Sequence, residues 1–407
     1  MSHESVVTPD RMSAKEWRVG ISLAAIFGLR MLGLFLVLPV FTVFASALPG
    51  GDNFQLVSWA FGIFMLVQAF LYLPLGYASD RFGRKPVITF GLLLFALGAL
   101  MAAWAPDIYW MIAARSLQGA GAISAAVMAL AADLTREQHR TKVMAMIGST
   151  IGLVFSVSLV AAPGLYGWIG MRGMFLLIAA LALAAIPLLH SVVPDVPEQA
   201  HTPQPLPLSQ ALHDTGLLRL NFGIFSLHVM QTALFLVVPR ELVSLQHIEL
   251  GAHWHIYLPV VLGSFVLAIP AIMQSERHGR TRAVFLGSIL LLLIAQLGLL
   301  LGMHSFVSII VMLLLFFAAF NVLEASLPSL VSRAAPAQLR GAAMGVFNTT
   351  QALGVAGGSV VGGWIAVHWG ANGVHGMTVV LAFAWALIAL GMKFPRRPGY
   401  RSDAAVA

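Results

Sequence analysis

Gly76-Tyr77-Ala78-Ser79-Asp80-Arg81-Phe82-Gly83-Arg84-Lys85 is a short turn with four charged residues, set between two apolar runs that are each long enough to cross a bilayer. Charge is expensive in hydrocarbon, and the short links on the cytoplasmic side of a membrane collect Lys and Arg, so this stretch predicts a cytoplasmic hairpin between two spans. The turn recurs. Glu276-Arg277-His278-Gly279-Arg280-Thr281-Arg282 repeats acid, Arg, x, Gly, Arg 196 residues later in the same setting. A repeat on that scale predicts two half-chains built on one plan.

The composition agrees with a chain that lives in lipid. Of 407 residues 59% are hydrophobic and 10% charged, and the mean hydropathy of +0.88 lies far above that of a soluble globular domain. At roughly 20 apolar residues per span, such a chain has room for about twelve helices. The expected fold is therefore an all-α membrane protein of twelve transmembrane helices in two pseudo-symmetric six-helix bundles. The expected spans are 18–46, 56–79, 86–104, 108–132, 142–164 and 170–193, then 216–239, 253–274, 283–303, 305–332, 340–367 and 373–394. Residues 1–193 form the first bundle and 216–407 the second. Between them 194–215 reads as a cytoplasmic linker, because Pro194, Pro197, Pro203, Pro205 and Pro207 forbid a helix interior there.

Orientation follows from the 23 Lys and Arg residues. Arg172 and Arg240 fall on the predicted outer side, Arg30 and Arg115 lie within spans, and the other nineteen fall on the cytoplasmic side, which places both termini inside. The high pI comes from these loop cations, so no nucleic-acid partner is expected. The chain has no cysteine, which removes disulfides and thiolate chemistry. No lysine follows a glycine, so a phosphate loop and direct ATP drive are absent. His139, His253 and His255 lack metalloprotease spacing. No cofactor, no metal and no enzymatic activity are expected, and the partners are the bilayer, a small-molecule substrate and protons, with the chain a monomer.

Within the spans the exceptions to apolarity carry the functional reading, because an ionisable group in hydrocarbon must face a partner or a cavity. Arg30, Arg115, His228 and Glu324 lie on spans one, four, seven and ten. Gln118 shares a helical face with Arg115. Glu324 is the one acidic residue deep in a span, Asn321 lies one turn before it, and Asn348 and Gln351 lie at matching depth on span eleven, so the hairpin could gather four polar groups. A carboxyl that gains and loses a proton as water reaches it from alternate sides is what proton coupling requires. The competing role is a counter-ion for Arg30 or Arg115. Asp133 ends span four near the level of Arg84 and could latch to it, with Glu137 as a rival. Gly148-x-x-x-Gly152-x-x-x-Ser156 and Gly354-x-x-x-Gly358-x-x-x-Gly362 form small-residue stripes that permit close helix approach.

Asp80-Arg81-x-Gly83-Arg84-Lys85 with Gly76 resembles the loop 2–3 signature of the major facilitator superfamily. Leu29-Arg30-Met31-Leu32-Gly33-Leu34-Phe35, Leu38-Pro39-Val40 and Phe320-Asn321-Val322-Leu323-Glu324-Ala325-Ser326-Leu327-Pro328 resemble the YajR-type efflux transporters within it. The resemblance implies a secondary transporter of the inner membrane that rocks two halves about a cavity lined by spans one, four, seven and ten. It further implies that Asp80 faces the start of span eleven and that Arg84 pairs with Asp133. Gly76, Asp80, Arg81, Gly83, Arg84, Lys85, Asp133 and Glu137 are then conformational-latch residues. Proton-coupled efflux is the expected function; a uniporter or importer of the same fold, or a non-transporting sensor, is the alternative. The fifth span carries only Pro163-Gly164 of the Gly-Pro signature typical of drug antiporters, and the chain ends shortly after its last span, without the soluble C-terminal domain that YajR-type proteins can carry.

Overall fold

The computed structural model describes residues 12–195, 213–277, 279–302, 305–336 and 339–392, which are helical with no strand among them. Helix is the solution that satisfies backbone N–H and C=O groups where water is absent. The helices are α1 (Ala14–Phe35), α2 (Phe41–Ser46), α3 (Phe54–Phe82), α4 (Arg84–Ala103), α5 (Ile108–Ala120), α6 (Ser124–Asp133), α7 (Glu137–Val192), α8 (Thr215–Ser244), α9 (Trp254–Arg277), α10 (Thr281–Gly302), α11 (Phe306–Ala334) and α12 (Arg340–Leu390). The central part of the expected linker lies outside the described residues. Asp214, inside that expected linker, already caps α8, accepting a hydrogen bond from Leu217 N at 2.8 Å.

Nine stretches of the described residues are long and apolar enough to cross a bilayer. Two of them are double. α7 is interrupted at Gly170 (φ 65°) and α12 at Gly370 (φ 66°), and left-handed backbone of this kind costs an L side chain about 1–2 kcal/mol that glycine does not incur. α5 and α6, separated by Gly121–Ile123, supply one more traverse. This count fits the twelve expected spans. Gly83 (φ 94°) and Gly279 (φ 68°) occupy the two repeated charged turns in the same backbone region. Both pairs of glycines fall at matching places in the two half-chains.

Two spans differ from the uninterrupted helices expected. The first stops at Phe35 and resumes as α2, because Pro39 lacks an N–H and disfavours helical backbone at Leu38. The fourth breaks after Ala120, where α5 presses against its neighbours: a Cβ on Gly119 would lie 3.0 Å from Phe64 Cα and closer still to its carbonyl oxygen, and one on Gly98 would lie 2.6 Å from Gln118 Cα. Glycine on both sides lets the three helices come that close.

Contacts between the two half-chains gather at the end opposite the charged turns. Gln55 on α3 donates to the Val360 carbonyl at 3.2 Å, Ser359 donates to the Ser58 carbonyl, and Thr42 donates to the Phe235 carbonyl at 3.3 Å. The Arg240 guanidinium lies 4.1 Å from the centre of the Phe54 ring. Further in, Phe155 on α7 sits between Phe235, Phe317 and Phe320, at 5.9 to 6.3 Å. Nearer the charged turns, a Cβ on Gly148, Gly152 or Gly345 would meet nothing within 4 Å. The molecule is closed at one end and open along these faces at the other.

The two small-residue stripes therefore part company. On α12, a Cβ at Gly354 would sit 2.6 Å from the Phe225 carbonyl oxygen and one at Gly358 2.6 Å from that of Val229, so this stripe is the seam between α12 and α8. On α7 the Gly148–Gly152 stripe is uncovered. Gly358→Ala should accordingly lower stability by about 1–3 kcal/mol through overpacking, whereas Gly148→Ala should stay within about 0.5 kcal/mol. Thermal melts of the purified protein check this; equal losses in both variants would contradict the described packing.

Candidate functional site

In the first half-chain the two span arginines are sealed among neutral partners. Arg30, 1% exposed, donates from Nη2 to Gln68 Oε1 at 2.5 Å and from Nη1 to Ser124 Oγ at 3.3 Å. Gln68 in turn bonds the Tyr72 hydroxyl. Arg115, 2% exposed, donates to Gln118 Oε1 at 2.5 Å and lies 4.7 Å from the centre of the Phe64 ring and 5.6 Å from that of Phe41. Among the described residues neither arginine forms an ion pair. Ring faces and amide oxygens supply their stabilisation, which retains the positive charge in a water-poor setting.

The second half-chain holds the acid. Glu324 Oε1 accepts from Gln351 Nε2 at 3.2 Å, and the same amide nitrogen lies 2.9 Å from His228 Nε2. His228 Nδ1 lies 3.1 Å from the Ile224 carbonyl oxygen, which can only accept. That bond assigns the ring proton to Nδ1, leaves Nε2 as the acceptor, and so gives both amide hydrogens of Gln351 a partner. Glu324 Oε2 is buried with no hydrogen-bond partner, 3.8 Å from His228 Nε2. A proton placed on Oε2 would give the carboxyl a donor facing the imidazole. Rings of Phe320 and His228 meet at 5.8 Å, so the cluster adjoins the aromatic plug around Phe155.

Of the expected four-group gathering, Glu324 and Gln351 meet, and His228 joins them. Asn321 turns away, donating to Ser264 Oγ on α9 at 3.1 Å. Asn348 lies half-buried three residues before Gln351. Glu324 is not the counter-ion of Arg30 or Arg115, since its partners come from α8 and α12. Gln68, Tyr72 and Ser124 escaped the sequence reading because neutral polar residues are unexceptional in spans. The one available signal was that Gln68 and Tyr72 are four apart on one helix face.

At the charged turn, Gly83 makes the reversal, and Arg84 bridges two helices. Its Nε donates to Asp133 Oδ2 at 2.9 Å, its Nη1 donates to Ser79 Oγ at 2.7 Å, and the same group pairs with Asp80. Ser79 also donates to the Gly76 carbonyl at 2.7 Å, and Arg81 lies over Phe82. Lys85 reaches Val193 O and Asp195, both at 2.6 Å, and this ammonium holds the Asp195 carboxyl below its ordinary range. The side chains of Glu137 and Arg340 lie outside the described residues, as does any meeting of Asp80 with the start of α12. A bond absent from the sequence reading ties α1 to the start of α7: Arg136 grips Glu16 through Nε at 2.9 Å and Nη2 at 2.8 Å.

The profile of the Major Facilitator Superfamily matches residues 21–252 and again 222–406. The chain belongs to this superfamily. It is 40% identical to the inner membrane transport protein YajR of Escherichia coli over 95% of this chain and 85% of that protein. It is 28% identical to the multidrug resistance protein MdtH of Proteus mirabilis over 82% and 84%. In three dimensions it is similar to a bacterial homolog of the human lysosomal transporter Spinster in an inward-facing, occupied conformation (TM-score 0.76, 12% identity, 93% of this chain and 97% of that one). It is also similar to the human organic anion transporter MFSD10 (TM-score 0.69, 19% identity, 92% and 99%). These likenesses establish a multi-pass transporter of the inner membrane, with the superfamily fold and no enzymatic role.

The Arg84 bridge is testable as a pair. Arg84→Gln and Asp133→Asn should each destabilise the protein, and the double variant should lose less than their sum, with a coupling of about 0.5–3 kcal/mol, because both changes remove the same charged bond. Strict additivity in thermal melts would show that the two side chains act separately.

Proposed function

We propose that this transporter exports a small molecule across the inner membrane in exchange for protons, by alternating access, with Glu324 as the proton-carrying group. The observation that carries the proposal is Glu324 Oε2, a shielded carboxylate oxygen without a hydrogen-bond partner, on an acid well inside α11 and 3.8 Å from His228 Nε2; Glu241 and His375 form a similar pair at 3.7 Å, but near the end of α8. Loss or gain of a proton there changes the charge of the cluster that joins α8, α11 and α12. A charge change biases any equilibrium between states that hydrate the cluster differently. Gln351 orients both groups by donating to Glu324 Oε1 and to His228 Nε2.

The nineteen-to-two bias of Lys and Arg supports placing the charged turns, and both termini, in the cytoplasm. On that orientation the described state is inward-facing, closed outside by the α3–α12 contacts. Export is supported by the naming of MdtH as a multidrug resistance protein. The buried pair on Arg30 and Arg115 supports the division of labour: permanent cations brace the first half-chain, while the titratable group lies in the second. The charged turn acts as a latch, in which Asp80 and Asp133 hold Arg84 in this state.

Glu324→Gln mimics the protonated carboxyl and retains its volume. In proteoliposomes with an imposed gradient of one pH unit and one proton per substrate, the wild type should accumulate substrate up to about tenfold, and the variant should only equilibrate it while still exchanging labelled for unlabelled substrate. Gradient-driven accumulation by Glu324→Gln at the wild-type level would refute the assignment.

A further inference from the structure

Away from the central cluster, α9, α10 and α11 enclose a recess of about 250 Å³ lined by Leu267, Ala271, Gly287, Leu291, Ala318 and Val322, among others. Its volume is several times the ~30 Å³ share of one water in the liquid, so it takes a guest larger than solvent. The hydroxyl in its wall is already committed, as Ser288 Oγ donates to the Val284 carbonyl at 2.8 Å. A recess with a mostly apolar wall favours an apolar guest over water. Gly287 and Leu267 are exposed, so the recess opens at the protein surface.

One turn closer to the charged end on each helix, the lining changes character. Ser275 follows Ala271, Thr281 precedes Val284, and Ser326 and Ser329 follow Val322, ending at Arg333. Arg333 Nε donates to the Ser329 carbonyl at 3.2 Å. The adjacent turn carries Arg280 and Arg282. Arg280 and Arg282 bond neutral oxygens of Gln274 and Leu390. The strip is thus apolar at mid-span and hydroxylated and cationic at its membrane-boundary end.

We propose that this strip seats one phospholipid with a net negative headgroup, its acyl segment in the recess among α9, α10 and α11 and its phosphate beside Ser329 and Arg333. A lipid is the occupant that matches both ends of the strip: hydrocarbon fits an apolar recess, and basic pockets at the boundary attract anionic headgroups. A zwitterionic lipid matches only the apolar end. The site stands apart from Glu324 and does not depend on proton coupling.

Native mass spectrometry of the full-length protein, delipidated in detergent and given equal amounts of phosphatidylglycerol and phosphatidylcholine, tests the proposal. The wild type should retain one phosphatidylglycerol in preference to phosphatidylcholine. Gly287→Leu should abolish that retention by filling the recess; a Cβ there meets nothing within 4 Å, so the larger side chain enters open space. Arg333→Gln should cut the preference about fivefold, the factor for one arginine at an anionic surface, while leaving general lipid uptake. Equal uptake of the two lipids by the wild type would overturn the proposal. So would unchanged phosphatidylglycerol retention in both variants, or a dimer of the chain that Gly287→Leu disrupts in place of lipid loss.

Discussion

In hydrocarbon a polar group must find its partner within the chain, and the partner it finds determines what it can do. Arg30 and Arg115 find amides and aromatic faces, an environment that holds a permanent charge without neutralising it. Glu324 finds one donor for two carboxylate oxygens. The same rule that braces the first half-chain leaves the second with a group able to accept a proton. The proposed function rests on this unequal distribution of partners over two half-chains of one plan.

The halves are also packed unequally along their length. Close glycine contacts seal α12 against α8, and carbonyl-directed bonds from Gln55, Ser359 and Thr42 close the end opposite the charged turns. The Gly148–Gly152 face of α7 stays open. The charged turn is tied to α6 by Arg84 and Asp133 and to the start of the linker by Lys85 and Asp195, while Arg136 and Glu16 tie α1 to the start of α7. These ion pairs hold elements of the first half-chain and linker together, whereas the hydrogen bonds described between the halves run from neutral side chains to carbonyls.

Much of this was legible in the sequence. The charged turns, their glycines and the span count follow from hydropathy and charge, because lipid leaves so few alternatives. Glu324 was legible as the lone deep acid, and Gln351 by depth. The facing direction of each side chain was not, since depth along a helix says nothing of rotation between helices; hence Asn321 was placed with Glu324 although it turns to Ser264. Gln68, Tyr72 and Ser124 were missed because neutral polar residues are unexceptional in spans. The break at Pro39 was signalled by proline, but the break after Ala120 depends on how closely α3 and α4 approach, which a single sequence does not encode locally. The pairing of Arg84 with Asp133 came from family resemblance as well as from position.

The central claim is that the charge on Glu324 biases which end of the molecule is open. The chain has no cysteine, so Gly148→Cys on α7 and Met273→Cys on α9 place two spin labels across the open seam without background. Electron–electron double resonance should give a wild-type distance distribution that moves as pH falls, and Glu324→Gln at neutral pH should reproduce the wild-type distribution of acidic pH and cease to respond. A variant that keeps the full wild-type pH response would contradict the account, because the proton that moves the halves would then bind elsewhere.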